Sequence, residues 1–245
     1  MQLILWRKQK LSSIFIICVV LIVVLVCLRL GYWQIQRGQA KSLQLSHIAK
    51  VQSKGVMPWQ QVLALPSEWN KTGIQASLTG TVNTVHYWLL DNQVVQGQVG
   101  YDVLALFKPS HSQTPILVNF GWIKAPASRQ QLPSVTLPRG VIDINVQLKQ
   151  GKLSGFTLDS SEHQEHKNDW PKRVQNIDLA LFEKHVQQPL VDFIAYRQGV
   201  GDAFGIPHYQ AVVMSPQKHY GYAVQWLLIG LSCVVVAIVA SKRRN

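Results

Sequence analysis

The sequence predicts a membrane protein in which two transmembrane helices flank one extracytoplasmic, strand-rich α+β domain. Two apolar runs long enough to cross a bilayer stand near the ends of the 245-residue chain. Outside them, basic residues gather at both tails. Between them, short stretches alternate apolar and polar residues and are broken by Gly, Pro and Asn, as strands are. With 47% hydrophobic and 15% charged residues, the composition excludes a disordered polyelectrolyte.

The first run, Leu11 to Leu28, interrupts its hydrocarbon only with Ser12 and Ser13. With Arg29 and Leu30 it reaches the roughly 20 residues that a bilayer requires. Arg7, Lys8 and Lys10 before it would also suit a signal peptide. The apolar core is long for one, however, and Arg29-Leu-Gly-Tyr-Trp33 offers no small-x-small cleavage site, so an uncleaved anchor over residues 12–30 is expected. The second span is expected over 222–240, followed by Lys242, Arg243 and Arg244. The positive-inside rule then puts the tails, 1–11 and 241–245, in the cytoplasm and residues 31–221 outside. All 12 acidic residues lie between the spans. The net charge of +12 is thus partly a topology signal, and nucleic acid is not an expected partner.

Cys18, Cys27 and Cys233 all fall within the spans. The external section therefore has no disulfide framework, thiolate metal site or Cys-x-x-x-Cys copper site. The stretch before the first span is short for an Arg- and Ser-rich transit peptide, which points to a bacterial inner membrane with a periplasmic domain.

Outside the first span, Ser42 to Val56 is expected to continue the helix, and Pro58 to Trp69 to form an irregular connection. Gln75–Asn83 alternates apolar and polar residues as a strand, His86–Asp91 follows as a second, and the short link between them predicts a hairpin. Asp91-Asn92, Gly97 and Gly100 mark the next turn. Strands follow over 101–107 and 116–123, with a fifth over 141–148. Ser160 to Lys167 reads as a polar surface loop. Asn176 to Val186 reads as a helix that Asp178 caps or charges at its first turn. Leu190–Tyr196 and Tyr209–Met214 are candidate final strands.

Catalytic signals are few. Gly199–Gly205 contains Gly-x-Gly without the third glycine of a dinucleotide fingerprint, and no nucleophile elbow, zinc-protease helix or phosphate loop occurs. His163 and His166 are three apart but have no apolar face to fix their geometry, so they read as solvated. His47, His86, His111, His185 and His208 are isolated. The remaining chemistry flanks the spans. Arg29, Trp33, Arg37 and Lys41 recur every four residues, which makes either an interfacial belt or a cationic wall for an anionic ligand. If the second helix extends back to His219, then His219, Tyr222 and Trp226 share one face. Axial ligation of haem iron needs a neutral imidazole in an apolar pocket with cations at its rim. Trp33 and Arg37 from one span and His219, Tyr222 and Trp226 from the other suit that need, and an aromatic belt is the plainer alternative.

Leu30-Gly-Tyr-Trp-Gln-Ile-Gln-Arg37, Val118-Asn-Phe-Gly-Trp-Ile123 and His219-Tyr-Gly-Tyr-Ala-Val-Gln-Trp226 together resemble the surfeit locus protein 1 family of two-span cytochrome c oxidase assembly factors. Two departures stand out. Phe120 occupies the place of an arginine in the central motif, and Gln93 does so in Asp91-Asn92-Gln93. The resemblance implies a non-enzymatic role in forming the haem a centre of the oxidase catalytic subunit. His219 would be the iron ligand, Trp33, Tyr222 and Trp226 the walls, and Arg37 a propionate partner. Implied partners are that subunit, the haem a synthesis machinery and the lipid bilayer. The alternative is a scaffold that steadies a nascent oxidase subunit without haem.

Overall fold

The computed structural model describes residues 2–128, 131–151, 153, 170–199 and 205–244. The expected Ser160–Lys167 loop, with His163 and His166, lies outside the described residues, as does most of Gly199–Gly205. The chain forms two compact units: one takes the stretch up to Ser46 with that from Val212 onward, and the other spans His47–Ala211.

The first unit is a pair of long helices, α1 (Gln2–Gln52) and α4 (Pro216–Arg244). Both are long and apolar enough to cross a membrane. Helix α1 runs through both the predicted span and the predicted extension without a break, ending four residues short of Val56.

The second unit is built on β2 (Gln75–Val95), β3 (Gln98–Pro109), β4 (Ile116–Lys124), β5 (Val141–Gln150) and β7 (Phe193–Arg197). Strand β2 pairs with β3, β3 with β4, β4 with β7, β7 with β5, and β5 returns to β2, which closes a barrel. Among these five barrel pairings, only β4–β7 is parallel. One long first strand serving both halves of the barrel, with a parallel pair between the third and fifth strands, is the connectivity of an OB-type Greek-key barrel. Two shorter strands, β1 (Met57–Pro58) and β6 (Lys172–Val174), add to β2 in parallel.

The predicted hairpin between residues 75 and 91 is instead this single strand of 21 residues. Asn83 misleads because it is a turn-forming residue. Here its Oδ1 accepts from the backbone N–H of Val85 at 3.0 Å and of His86 at 2.9 Å, holding a bulge in which β2 bends without reversing. The reversal comes later, at Gln96 and Gly97, both with positive φ (50° and 77°), as a two-residue hairpin turn requires. At Gly80 the strand is paired with β5 and β3 at once. A Cβ there would stand 2.2 Å from Lys108 O, so the barrel corner admits only glycine.

Alternation along β3 sorts the core. Tyr101, Val103, Ala105 and Phe107 face the barrel interior, where α2 (Trp59–Leu63) adds Trp59 and Val62. Leu104 and Leu106 face outward into a second cluster with Trp88, Ile194 and Phe182. Phe182 belongs to α3 (Leu179–Val186) and stacks on Trp88 with centroids 4.5 Å apart. As predicted, Asp178 caps α3, accepting from Ala180 N at 3.0 Å and Leu181 N at 3.3 Å. Strand β7 starts at Phe193, three residues later than predicted, because Leu190 N donates to Glu183 Oε1 at 2.8 Å instead of joining the sheet. Tyr209–Met214 forms no strand. Pro207 removes a donor just before it, and the side chains of His208 and Tyr209 make contacts to the barrel in place of a ladder.

Candidate functional site

The helix pair is organised by small residues. On α1, Cys27, Gly31 and Gly38 are buried, with Gln34 half-buried between them. On α4, Ala223 and Gly230 are buried, with His219 and Trp226 half-buried. Steps of four and three residues bring these positions into one stripe on each helix. Without a hydrophobic driving force in lipid, helices pair through such close approaches. A Cβ on Gly31 would meet Ala223 O at 3.6 Å and Trp226 Cβ at 3.8 Å, and one on Gly230 would meet Cys27 Cβ at 3.3 Å. One on Gly38 would lie 2.6 Å from the Tyr220 ring, inside contact distance.

His219 sits on this seam. Its Nδ1 lies 2.8 Å from Gln34 Oε1 and donates to it, joining residues 185 apart in sequence. Helix α4 begins at Pro216, so His219, Tyr222 and Trp226 do share a helical face. Trp226 leans on Gly31, and Tyr222 is exposed at 44%. Trp33 and Arg37 are exposed and pair with each other, the guanidinium carbon 5.5 Å from the indole centroid. Trp33 is turned roughly 200° around α1 from the seam residue Gly31. The structure thus groups the predicted residues in two sets. His219 and Trp226 lie along the seam with Gln34, and Arg37 and Trp33 pair with each other on an exposed flank of α1. Among the described residues no cluster of three or more His, Cys, Asp or Glu is placed to hold a bare metal ion.

A second polar centre lies in the barrel, and the reading of His208 as isolated is corrected by it. His208 Nε2 donates to Asp102 Oδ1 at 2.6 Å, and Asn119 Nδ2 donates to Asp102 Oδ2 at 2.7 Å. Asp102 is only 3% exposed. Its hydrogen bond raises the His208 pKa above the ordinary imidazole value, against the opposing effect of burial. Alongside, Tyr196 stacks on Tyr209 at 3.8 Å. Burial lifts both phenols, Tyr209 to about 12. Arg197 Nη2 donates to Gly205 O at 2.8 Å, and Trp122 and Ile206 exchange backbone bonds at 2.9 and 2.8 Å. Together these contacts strap residues 205–209 to the barrel wall. The arrangement is a clasp, and among the described residues no hydroxyl or thiol bonds to His208 for it to activate. Its one mark along the chain is a lone carboxylate in the otherwise apolar run Tyr101–Phe107.

Phe120, which replaces an arginine of the central motif, is 0% exposed inside the barrel. An apolar side chain suits that place, and the neighbouring cation Arg197 spends its Nε on Phe120 O at 3.0 Å.

Comparison with individually curated proteins gives no match. Comparison with protein families matches residues 21–231 to the SURF1 family. The match takes in most of both long helices and the whole barrel between them, and that family is associated with cytochrome c oxidase assembly. With its two motif-bearing helices and the strand-rich unit between them, the chain belongs to the SURF1 family.

Proposed function

We propose that this chain helps to form the haem a centre of the oxidase catalytic subunit by holding haem a at the outer face of a bacterial inner membrane, with His219 as iron ligand. One observation carries the reading. A histidine that donates its Nδ1–H to Gln34 Oε1 has its lone pair on Nε2, the form in which imidazole ligates a metal. The half-buried seam position also limits water around the ring.

Bound haem a would supply a redox-active iron, and His219 would furnish an imidazole nitrogen to hold it. Trp226 and Tyr222, next to His219 on the same helical face, offer apolar ring surface for a macrocycle. Arg37 carries a permanent charge suited to a propionate, and Trp33 braces it through their cation–π contact. In this reading the exposed pair serves the rim. Nothing in this role requires a bond to be made at carbon, so binding and orientation suffice.

The test is to purify the full chain from cells that make haem a. Wild type should carry haem with an imidazole-ligated spectrum, and His219→Ala should lose it. Equal haem in the two, or none in wild type alongside recovery of the oxidase subunit from cells unable to make haem a, would replace this reading with a haem-independent scaffold.

A further inference from the structure

We propose that Gln34 is the positioning residue of this site. By accepting from His219 Nδ1 it makes the α1–α4 seam, and not α4 alone, the element that presents the ligand nitrogen. The proposal rests on the reading that His219 ligates haem iron.

An exposed imidazole divides between two tautomers and rotates about its χ angles, so its lone pair has no fixed direction. A bond from one ring nitrogen to a fixed acceptor removes both freedoms. Gln34 is well suited to be that acceptor. It is half-buried on the seam, between Gly31 and Gly38. The close approaches of those glycines to α4 hold the two backbones at a separation that the 2.8 Å bond can span. Its amide is neutral, so it polarises the ring without placing a second charge in the apolar seam. The same bond ties the two helices together, and a role in pairing alone would be served by either tautomer. The positioning role specifically predicts that the electronic state of the ligand follows the acceptor at residue 34.

Two near-isosteric variants separate these roles. Gln34→Glu places a charged acceptor on Nδ1–H, makes the imidazole a stronger donor, and favours the ferric state of its iron. Gln34→Leu keeps much of the volume and removes the acceptor. The measurements are titration of purified, haem-free full chain in detergent with haem a, and the midpoint potential and spectrum of the bound haem. Relative to wild type, Gln34→Glu should lower the midpoint potential. Gln34→Leu should raise it and weaken binding about tenfold, as loss of such a partner does at other metal-bound histidines. Cross-linking of Cys27 to Gly230→Cys, added to each variant, reports helix pairing. If both variants bind haem a with wild-type potential, or if both potentials move the same way, Gln34 does not position the ligand. A Gln34→Leu loss of haem accompanied by loss of the cross-link assigns Gln34 to pairing and also overturns the proposal. His219→Ala tests the underlying reading separately. If that variant binds haem a as wild type does, the ligand assignment fails whatever Gln34 does.

Discussion

His208 and Asp102, 106 residues apart in sequence, meet with Nε2 2.6 Å from Oδ1 at the wall of the barrel. The folded-state pKa of His208 is raised. The stability that its protonated form contributes is therefore fully present below the unfolded histidine value of about 6.5. It is lost as pH rises through the higher folded value. Hydrogen exchange of residues 205–209 in the intact chain should accelerate across that window beyond the intrinsic base-catalysed rise. His208→Gln should remove the extra acceleration. At pH 6, His208→Ala should cost about 1.5–3 kcal/mol, because among the described residues it leaves the buried carboxylate with Asn119 as its remaining side-chain donor. The facing groups, Tyr196, Arg197 and Tyr209, do not change charge near neutrality, so they leave the window to this pair.

The helix seam makes a covalent prediction. Because a Cβ on Gly230 would lie 3.3 Å from Cys27 Cβ, a shift of a few tenths of an ångström brings a cysteine there into disulfide range. With Cys18 and Cys233 changed to serine, Gly230→Cys should cross-link to Cys27 on oxidation. Gly38→Val drives a branched side chain into the Tyr220 ring, which a Cβ would already approach to 2.6 Å. It should abolish the cross-link, and Tyr220→Ala should restore it. A cross-link indifferent to Gly38→Val would mean that the helices do not pair through this glycine.

Asn83 tests the bulge. Its carboxamide oxygen accepts two backbone donors, Val85 N and His86 N, and Asn83→Ala removes both bonds where β2 bends. At about 1 kcal/mol for each bond, the barrel should lose roughly 1–2 kcal/mol against denaturant. Asn83→Asp, which keeps the acceptor, should lose less. Equal losses would show that the side chain is not what holds the bend.

These cases also show what the sequence could and could not reveal. Hydropathy alone marks both long helices, short apolar runs between turn residues mark β3 and β4, and period-two alternation marks β5, because each carries its own signal along the chain. The sequence suggests two strands where β2 is one, because Asn83 is chemically the same residue in a turn and in a bulge, and only the pairing partner decides between them. The Asp102–His208 pair was invisible because no spacing connects residues brought together by barrel closure. On α1, the every-fourth-residue run from Arg29 to Lys41 drew attention to the cations, whereas the four-and-three pattern of Cys27, Gly31, Gln34 and Gly38 is what faces α4. A seam becomes legible only when the second helix is known, and so the spacing on α1 alone points to Trp33 and not to Gln34.

Arg37 and Trp33 contact each other on the exposed side of α1, a position equally suited to a propionate at the rim and to a lipid phosphate. If Arg37 serves haem, Arg37→Gln should weaken haem a binding about tenfold, the equivalent of one charge-assisted hydrogen bond of roughly 1.5 kcal/mol. It should leave the imidazole-ligated spectrum unchanged, because the iron ligand on α4 is untouched. Trp33→Ala should have a smaller effect in the same direction, since it only frees the guanidinium that the indole braces. Unchanged haem affinity in Arg37→Gln, together with weaker association of the chain with vesicles containing anionic lipid, would assign the pair to the membrane surface and leave His219, Gln34 and Trp226 as the site.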